Sequence, residues 1–282
     1  MQKQLFLNLG SGAQFHSDWT NIDLSSSSPC VQAYDLRKGI PFPDNTFAVV
    51  YHSHLLEHFP RHGAFKFIQE CYRVLKPGGI IRVVVPDLER IARMYLQALE
   101  RALKGEAEWQ HHHEWMLLEL YDQVVRERPG GAMLEYLTRD PIPDEAFVYE
   151  RIGGEARRIV QLHRTAVAQE EGQSPRYSAL TRRVRFLPHF LRTMLIKMLL
   201  SADDYQALQI GRFRLQGEIH QWMYDRYSLA RLLEQTGFHH PVQRTACESA
   251  TENWLQFHLD TEPDGTVYKP DSLYMEATKP AI

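Results

Sequence analysis

The chain has 282 residues, a formal net charge of −3 and 44% hydrophobic residues. These values exclude collagen-like, disordered and coiled-coil proteins, and near-neutral charge gives no reason to expect nucleic acid as a partner. No apolar run is long enough to span a bilayer, the first residues lack the apolar stretch of a secretory leader, and the three cysteines, Cys30, Cys71 and Cys247, are scattered. Cytoplasmic residence is the resulting expectation.

Taken in chain order, about the first ninety residues alternate strand and helix patterns. Leu5–Leu9 reads as a short buried strand ended by Gly10-Ser-Gly12, Thr20–Leu24 as a second strand, and Val31–Tyr34 as a third. Prolines and the Asp44-Asn45 pair mark a turn before the strand Phe47–Tyr51. Gly63–Leu75 has helical spacing with Phe65, Ile68, Tyr72 and Leu75 on one face, stopped by Lys76-Pro-Gly-Gly79. Ile80–Val85 is the fifth strand. From about Leu88 to Arg214 long helical patterns dominate, and near His220 the α/β pattern resumes. Ser228–Gln235 is a helix there, and Phe238–Thr245 and Leu273–Thr278 close the sheet as an antiparallel pair. The expected organisation is an α/β core from residues 1–90 and 218–282, interrupted by a helical insertion over 91–217 that forms a lid or substrate region.

The chemistry is carried by an ordered series. The glycine turn after the first strand lets a ligand approach the backbone. Asp23, at the end of the second strand, can accept hydrogen bonds from both hydroxyls of a ribose, and Asp35, at the end of the third, is placed to accept from an exocyclic adenine amine. The third glycine of a dinucleotide fingerprint is replaced by Phe15, and no Lys and Ser/Thr follow the glycines. The series therefore suits adenosine without a pyrophosphate, which points to S-adenosylmethionine.

The chain resembles the class I S-adenosylmethionine-dependent methyltransferases of the type-11 superfamily, in particular the predicted methyltransferases with a Leu-Asn-Leu-Gly-Ser-Gly opening. The resemblance lies in Leu7-Asn-Leu-Gly-Ser-Gly12, Trp19-Thr-Asn-Ile-Asp23, Pro41-Phe-Pro-Asp-Asn-Thr-Phe47, Leu56-Glu-His58, Arg73-Val-Leu-Lys-Pro-Gly-Gly79, Val85-Pro-Asp87, His220-Gln-Trp-Met-Tyr224 and Leu273-Tyr-Met-Glu-Ala-Thr-Lys-Pro280. It implies a Rossmann-like, mostly parallel sheet of seven strands in the order 3-2-1-4-5-7-6, with S-adenosylmethionine as donor and S-adenosylhomocysteine as product. It places Leu9, Gly10, Ser11 and Gly12 along the methionine moiety, Asp23 and Leu24 at ribose and adenine, Asp35 and Leu36 at the adenine edge, and Ser53 and His54 at the methionine end. Two departures stand out: Asn8 occupies a position that is usually acidic, and only about ten residues separate Gly12 from Asp23, too few for the usual crossover helix.

A hydroxyl acceptor needs a base. His220 and His58 are the catalytic candidates, with Asp87 and Tyr224 assigned to the substrate. The expected reaction is O-methylation of a small molecule or sugar. A methyltransferase-fold protein that binds without transfer is one alternative. A metallohydrolase using His52, His54 and His58 is another, although its spacing fits no such family, and no metal ligand is assigned. The consecutive His111-His-His113 point different ways on a helix and read as a solvated face. The basic, amphipathic stretch 182–200 could touch an anionic membrane peripherally, against an internal lid or dimer helix as the plainer reading.

Overall fold

The computed structural model of the protein describes residues 5–26, 28–172, 193–194 and 196–281. Seven strands form one sheet: β1 (Phe6–Leu9), β2 (Thr20–Asp23), β3 (Val31–Ala33), β4 (Phe47–Ser53), β5 (Leu75–Pro86), β6 (His239–Arg244) and β7 (Ser272–Thr278). Their spatial order is β3-β2-β1-β4-β5-β7-β6. The first five are parallel, whereas β7 runs antiparallel between β5 and β6, paired from Ile80↔Thr278 to Pro86↔Ser272. This is the Rossmann-like arrangement the sequence predicts.

Parallel pairing buries both faces of the central strands, so β4 reads as a nearly unbroken apolar run. Val50 enters the layer beneath α1 (Arg61–Val74), while Val49 and Tyr51 face the opposite side. That opposite side is covered by the long β6–β7 connection, whose Trp254 and Phe257 pack on Trp19 and Tyr51. Within this layer Arg82 of β5 is fully buried and saturated. Its Nε donates to Asp260 at 2.8 Å, its Nη1 to Glu276 at 2.9 Å, and its remaining donors reach the carbonyls of Thr245 and Glu248, both at 2.8 Å. Its guanidinium also lies 4.5 Å from the Trp254 ring centre.

Two local expectations change. The inward face of α1 is Ala64, Phe67, Ile68, Cys71 and Val74, leaving Phe65 and Tyr72 half-buried at the edge. The Lys76-Pro-Gly-Gly79 stretch lies inside β5 rather than ending the helix, which stops at Val74. Gly79 is needed because a Cβ there would sit 2.8 Å from the Lys76 carbonyl and 3.0 Å from that of Ala48. Between β1 and β2 there is no helix, so the short spacing from Gly12 to Asp23 is spanned by turns.

After β5 the chain enters α2 (Leu88–Leu103), α3 (Ala107–Leu117), α4 (Gly131–Leu137), α5 (Glu145–Ile152), α6 (Gly154–Gly172) and α7 (Ala202–Arg214). Their buried residues, among them Ile91, Trp115, Tyr136, Val148 and Val160, form a core separate from that of the sheet. A π turn, Leu118–Asp122, follows α3 and turns Glu119 and Asp122 inward. The buried Glu119 is held by Arg151 at 2.6 Å and by the Trp115 indole N–H at 2.6 Å. The chain returns beside its exit: the Leu88 N–H donates to the Tyr224 carbonyl at 3.0 Å, and α8 (Arg226–Gln235) follows, opened by a capping box between Asp225 and Ser228. Of the stretch 182–200, residues 182–192 and 195 lie outside the described residues. No described helix is long and apolar enough to cross a membrane.

Candidate active site

The carboxyl ends of β1, β2 and β4 meet at the glycine turn. The N–H groups of Gly10 and Ser11 both donate to the Ile22 carbonyl, at 2.8 and 3.1 Å, tying the turn to β2. Gly10 and Gly12 have φ of +66° and +53°, the left-handed region that glycine tolerates. A Cβ on Gly10 would lie 3.0 Å from Leu55, so bulk there would press into the cavity wall. The Gly12 N–H donates to Asp23 Oδ2 at 2.9 Å, which fixes the carboxylate across the mouth of the turn.

Two cavities flank the turn, and Gly10 lines both. One, of about 360 Å³, is bounded by Asp23, Leu24, Tyr34, Leu36, Leu55 and Phe59, with Asp35, Arg37 and His58 at its edge and Leu215–Gly217 closing it from the end of the helical stretch. The other, of about 190 Å³, is polar: Asn8, Ser11, Gln14, Ser53 and His54 face Glu155 and Arg158 of α6 and Lys269 from the connection before β7. The buried Ser11 hydroxyl has no protein partner.

Nine of the ten cofactor positions read from the sequence, Gly10, Ser11, Gly12, Asp23, Leu24, Asp35, Leu36, Ser53 and His54, line these two cavities. Leu9 does not; its side chain is fully buried in the sheet core. Asp35 is placed as expected but is already engaged. The Arg37 guanidinium holds it in two hydrogen bonds of 2.8 and 2.9 Å and keeps its pKa below the ordinary value. Asp87 and Tyr224 are set apart from both cavities. Asp87 caps α2 by accepting from the Arg90 N–H at 3.1 Å. Tyr224 is buried against the sheet and lines a separate hollow between α1 and α8.

The histidines sort differently from their spacing. β4 ends at Ser53, and His54 takes a left-handed φ of +49°, which breaks the alternation that would put His52 and His54 on one face. His52 is fully buried beside Phe67, its ring nitrogens have no hydrogen-bond partner, and burial pushes its pKa down to about 3. The trio His52, His54 and His58 is thus not brought together, and the metallohydrolase reading loses its ligand set.

A different set converges. His58 and His220 pack edge to face with centroids 4.9 Å apart. Glu57 lies beneath them, with Oε1 3.5 Å from His54 Nδ1 and 4.0 Å from His220 Nε2. Glu57 is fully buried, neither carboxylate oxygen has a hydrogen-bond partner, and burial pushes its pKa up to about 8. The same burial pushes His54, His58 and His220 below the ordinary histidine value, so all three are neutral at pH 7. The Glu57 carbonyl accepts the Gln221 N–H at 2.6 Å and the Trp222 N–H at 3.2 Å, which is how residues 220–222 are pinned over β4.

Glu57 escaped the sequence reading although it sits inside the Leu56-Glu-His58 motif, because nothing in the pattern shows that its carboxylate turns inward. Glu155, Arg158 and Lys269 carried no local signal at all; they come from a helix and a loop more than 130 positions beyond the glycine turn. Lys269 is paired with Glu155 at 3.0 Å, and that pairing outweighs burial to raise the lysine's pKa.

Residues 13–83 match the family model described as "Methyltransferase domain". No curated protein matches the chain. Among solved structures, the methyltransferase of the Haloferax volcanii Trm112 activator complex is similar at 11% identity and a TM-score of 0.38, over 99% of this chain and 84% of that one. An Archaeoglobus fulgidus SAM-dependent methyltransferase is similar at 11% identity and 0.38, over 98% and 86%. One from Aquifex aeolicus shares 19% identity at 0.25, over 30% of this chain and 57% of that one. These likenesses fall below the level at which a common fold follows, so the fold rests on the strand order itself.

Proposed function

From a chain with a class I methyltransferase strand order, a matched methyltransferase domain and S-adenosylmethionine as the cofactor these support, we propose that the protein O-methylates a small molecule or glycan. The observation that carries the choice of a hydroxyl acceptor is the Glu57/His58/His220 cluster beside the larger cavity. Oxygen acceptors must lose a proton, and His58 brings this cluster to the wall of that cavity.

The residues present fit the cofactor. The left-handed glycines leave the turn open, the unpartnered Ser11 hydroxyl faces the smaller cavity, and Asp23 offers carboxylate oxygens at the end of β2. Asp23 would hold the ribose hydroxyls, and Leu24, Leu36, Leu55 and Phe59 would bracket the base by apolar contact. The polar cavity would hold the amino-acid end. Asn8, whose Nδ2 donates to Asn21 and to the Gln14 carbonyl, both at 3.1 Å, brings an amide oxygen to this cavity but no negative charge. Glu155, already paired with Lys269, and Arg158 from α6 bring charges of both signs instead, suited to an ammonium and a carboxylate.

When bound, S-adenosylmethionine supplies a methyl group on a sulfonium, a leaving group that needs no acid. The protein's tasks are therefore to align the acceptor, exclude water and receive a proton. Leu215–Gly217 shield the larger cavity, and His58, a neutral imidazole on its wall with His220 packed against it, is placed to take the proton. We assign the helical stretch 91–217 the lid role, because its members Glu155, Arg158 and Leu215–Gly217 reach both cavities.

Calorimetric titration with S-adenosylhomocysteine tests the core of this reading. Binding is expected in the wild type and should weaken about 10- to 100-fold in Asp23→Ala, the worth of one or two charge-assisted hydrogen bonds. Absence of binding to a folded wild-type protein would overturn it.

A further inference from the structure

We propose that Glu57, His58 and His220 form a binding site for a divalent first-row transition-metal ion. Each offers one ligand atom within 4.8 Å of the others. A cation bound by imidazole nitrogen and carboxylate oxygen at about 2.0–2.2 Å needs donors about 3–4 Å apart, so small side-chain rotations close this set.

Three independent features favour a cation. The first is the unpaired carboxylate. Glu57 is fully buried with no hydrogen bond to either oxygen, a condition that is costly unless a charge or donor completes it. The nearest ammonium, that of Lys269, is committed to Glu155. The second is a preset tautomer. His58 Nδ1 lies 3.1 Å from the Ile219 carbonyl, which can only accept, so Nδ1 carries the hydrogen and Nε2 keeps its lone pair. Metal-bound histidines are held in this way by backbone carbonyls. The third is the backbone that fixes the set. The His220 N–H donates to the Gln123 carbonyl at 3.0 Å, and the Gln221 N–H to the Glu57 carbonyl, so ligands more than 160 positions apart are clamped together. His54 stands behind Glu57, with Nε2 2.8 Å from the Ser272 hydroxyl and Nδ1 facing the carboxylate. It is a positioning residue.

Two imidazoles and one carboxylate leave coordination positions open, and this donor set suits manganese, iron, cobalt or zinc rather than magnesium or calcium. Because His58 lines the larger cavity, the open side borders the space where the methyltransferase reading places the reaction. Resting on that reading, the ion would bind the acceptor hydroxyl oxygen and make its proton easier to lose to water, taking over from His58 and His220, which as its ligands no longer act as bases.

The test uses the full chain, stripped with chelator and titrated with cobalt(II) under equilibrium dialysis and visible absorption. One equivalent should bind with d–d bands of a nitrogen–oxygen site. Affinity should fall more than about 100-fold in His220→Ala and in Glu57→Gln. It should be unchanged in His112→Ala, which disrupts the other cluster of possible ligands, Glu108, His112 and Asp144. Should His220→Ala fail to fold, proton spectra of the cobalt-loaded wild type decide instead, by showing paramagnetically shifted imidazole N–H signals. No stoichiometric binding to wild type, or binding that survives in His220→Ala and Glu57→Gln, overturns the proposal. S-adenosylhomocysteine titration of the metal-free wild type keeps the two readings apart: nucleoside binding without cobalt binding sinks only the metal site.

Discussion

Two buried clusters of ionisable side chains flank the central strands, and they are built on opposite terms. Around Arg82 every donor is used: two carboxylates, two carbonyls and an aromatic face surround one guanidinium. Around Glu57 the carboxylate has no partner, while three neutral imidazoles surround it. The first cluster is closed and joins β5, β7 and the β6–β7 connection, so it reads as architecture. The second is unsaturated and borders a cavity, so it reads as a place kept for something else.

The contrast can be broken most directly at Arg82. Arg82→Ala leaves Asp260 and Glu276 buried without the guanidinium they share and should cost about 3–5 kcal/mol in urea denaturation. A cost below about 1 kcal/mol would show that the closed cluster is not what holds the layer. Asp271 sharpens the comparison at an intermediate level. It is buried among Glu119, Arg151, Lys269 and Glu155, and burial together with Glu119 pushes its pKa up to about 7. The folded state therefore keeps a proton that the unfolded chain releases near its ordinary value of 3.8. The associated stability is present at low pH and is lost as pH rises from about 4 to about 7. Asp271→Asn should flatten that decline in thermal melts taken across this range; an unchanged slope would count against it. The smallest effect is expected at the open cluster. In metal-free protein Glu57→Gln keeps the shape and removes a group with no bonds to lose, so it should change stability by less than about 1 kcal/mol. A loss as large as that of Arg82→Ala would erase the distinction.

Much of the frame was legible in the sequence, because strand periodicity, the glycine turn and Asp23 are local signals whose meaning survives folding. The strand order followed from resemblance and was met. The site was legible only where function depends on backbone position. Asp35 lines the larger cavity, yet its engagement by Arg37, two residues away, depends on a side-chain geometry no pattern records. His54 lines the smaller cavity beside Ser53, whereas its grouping with His52 and His58 fails because its own left-handed backbone breaks the strand alternation. Asp87, assigned to the substrate, caps α2 and stands apart from both cavities; its position before Leu88-Glu89-Arg90 is that of a helix cap. Glu155, Arg158 and Lys269 required the tertiary fold, since long-range convergence leaves no local trace.

The junction where the helical stretch leaves and rejoins the sheet carries a consequence for how such a molecule can diversify. Asp87 and Tyr224 are bridged, and Asp87 also donates its N–H to the Asp271 carbonyl at 3.0 Å, so the excursion begins and ends at one stitched point. Its helices own a separate core. Lengthening, trimming or exchanging them need not disturb strand register. Segment replacement between these two points could thus change what the helices bring to both cavities while the strand order stays fixed, and chimeras joined at this point are the natural units for exploring it.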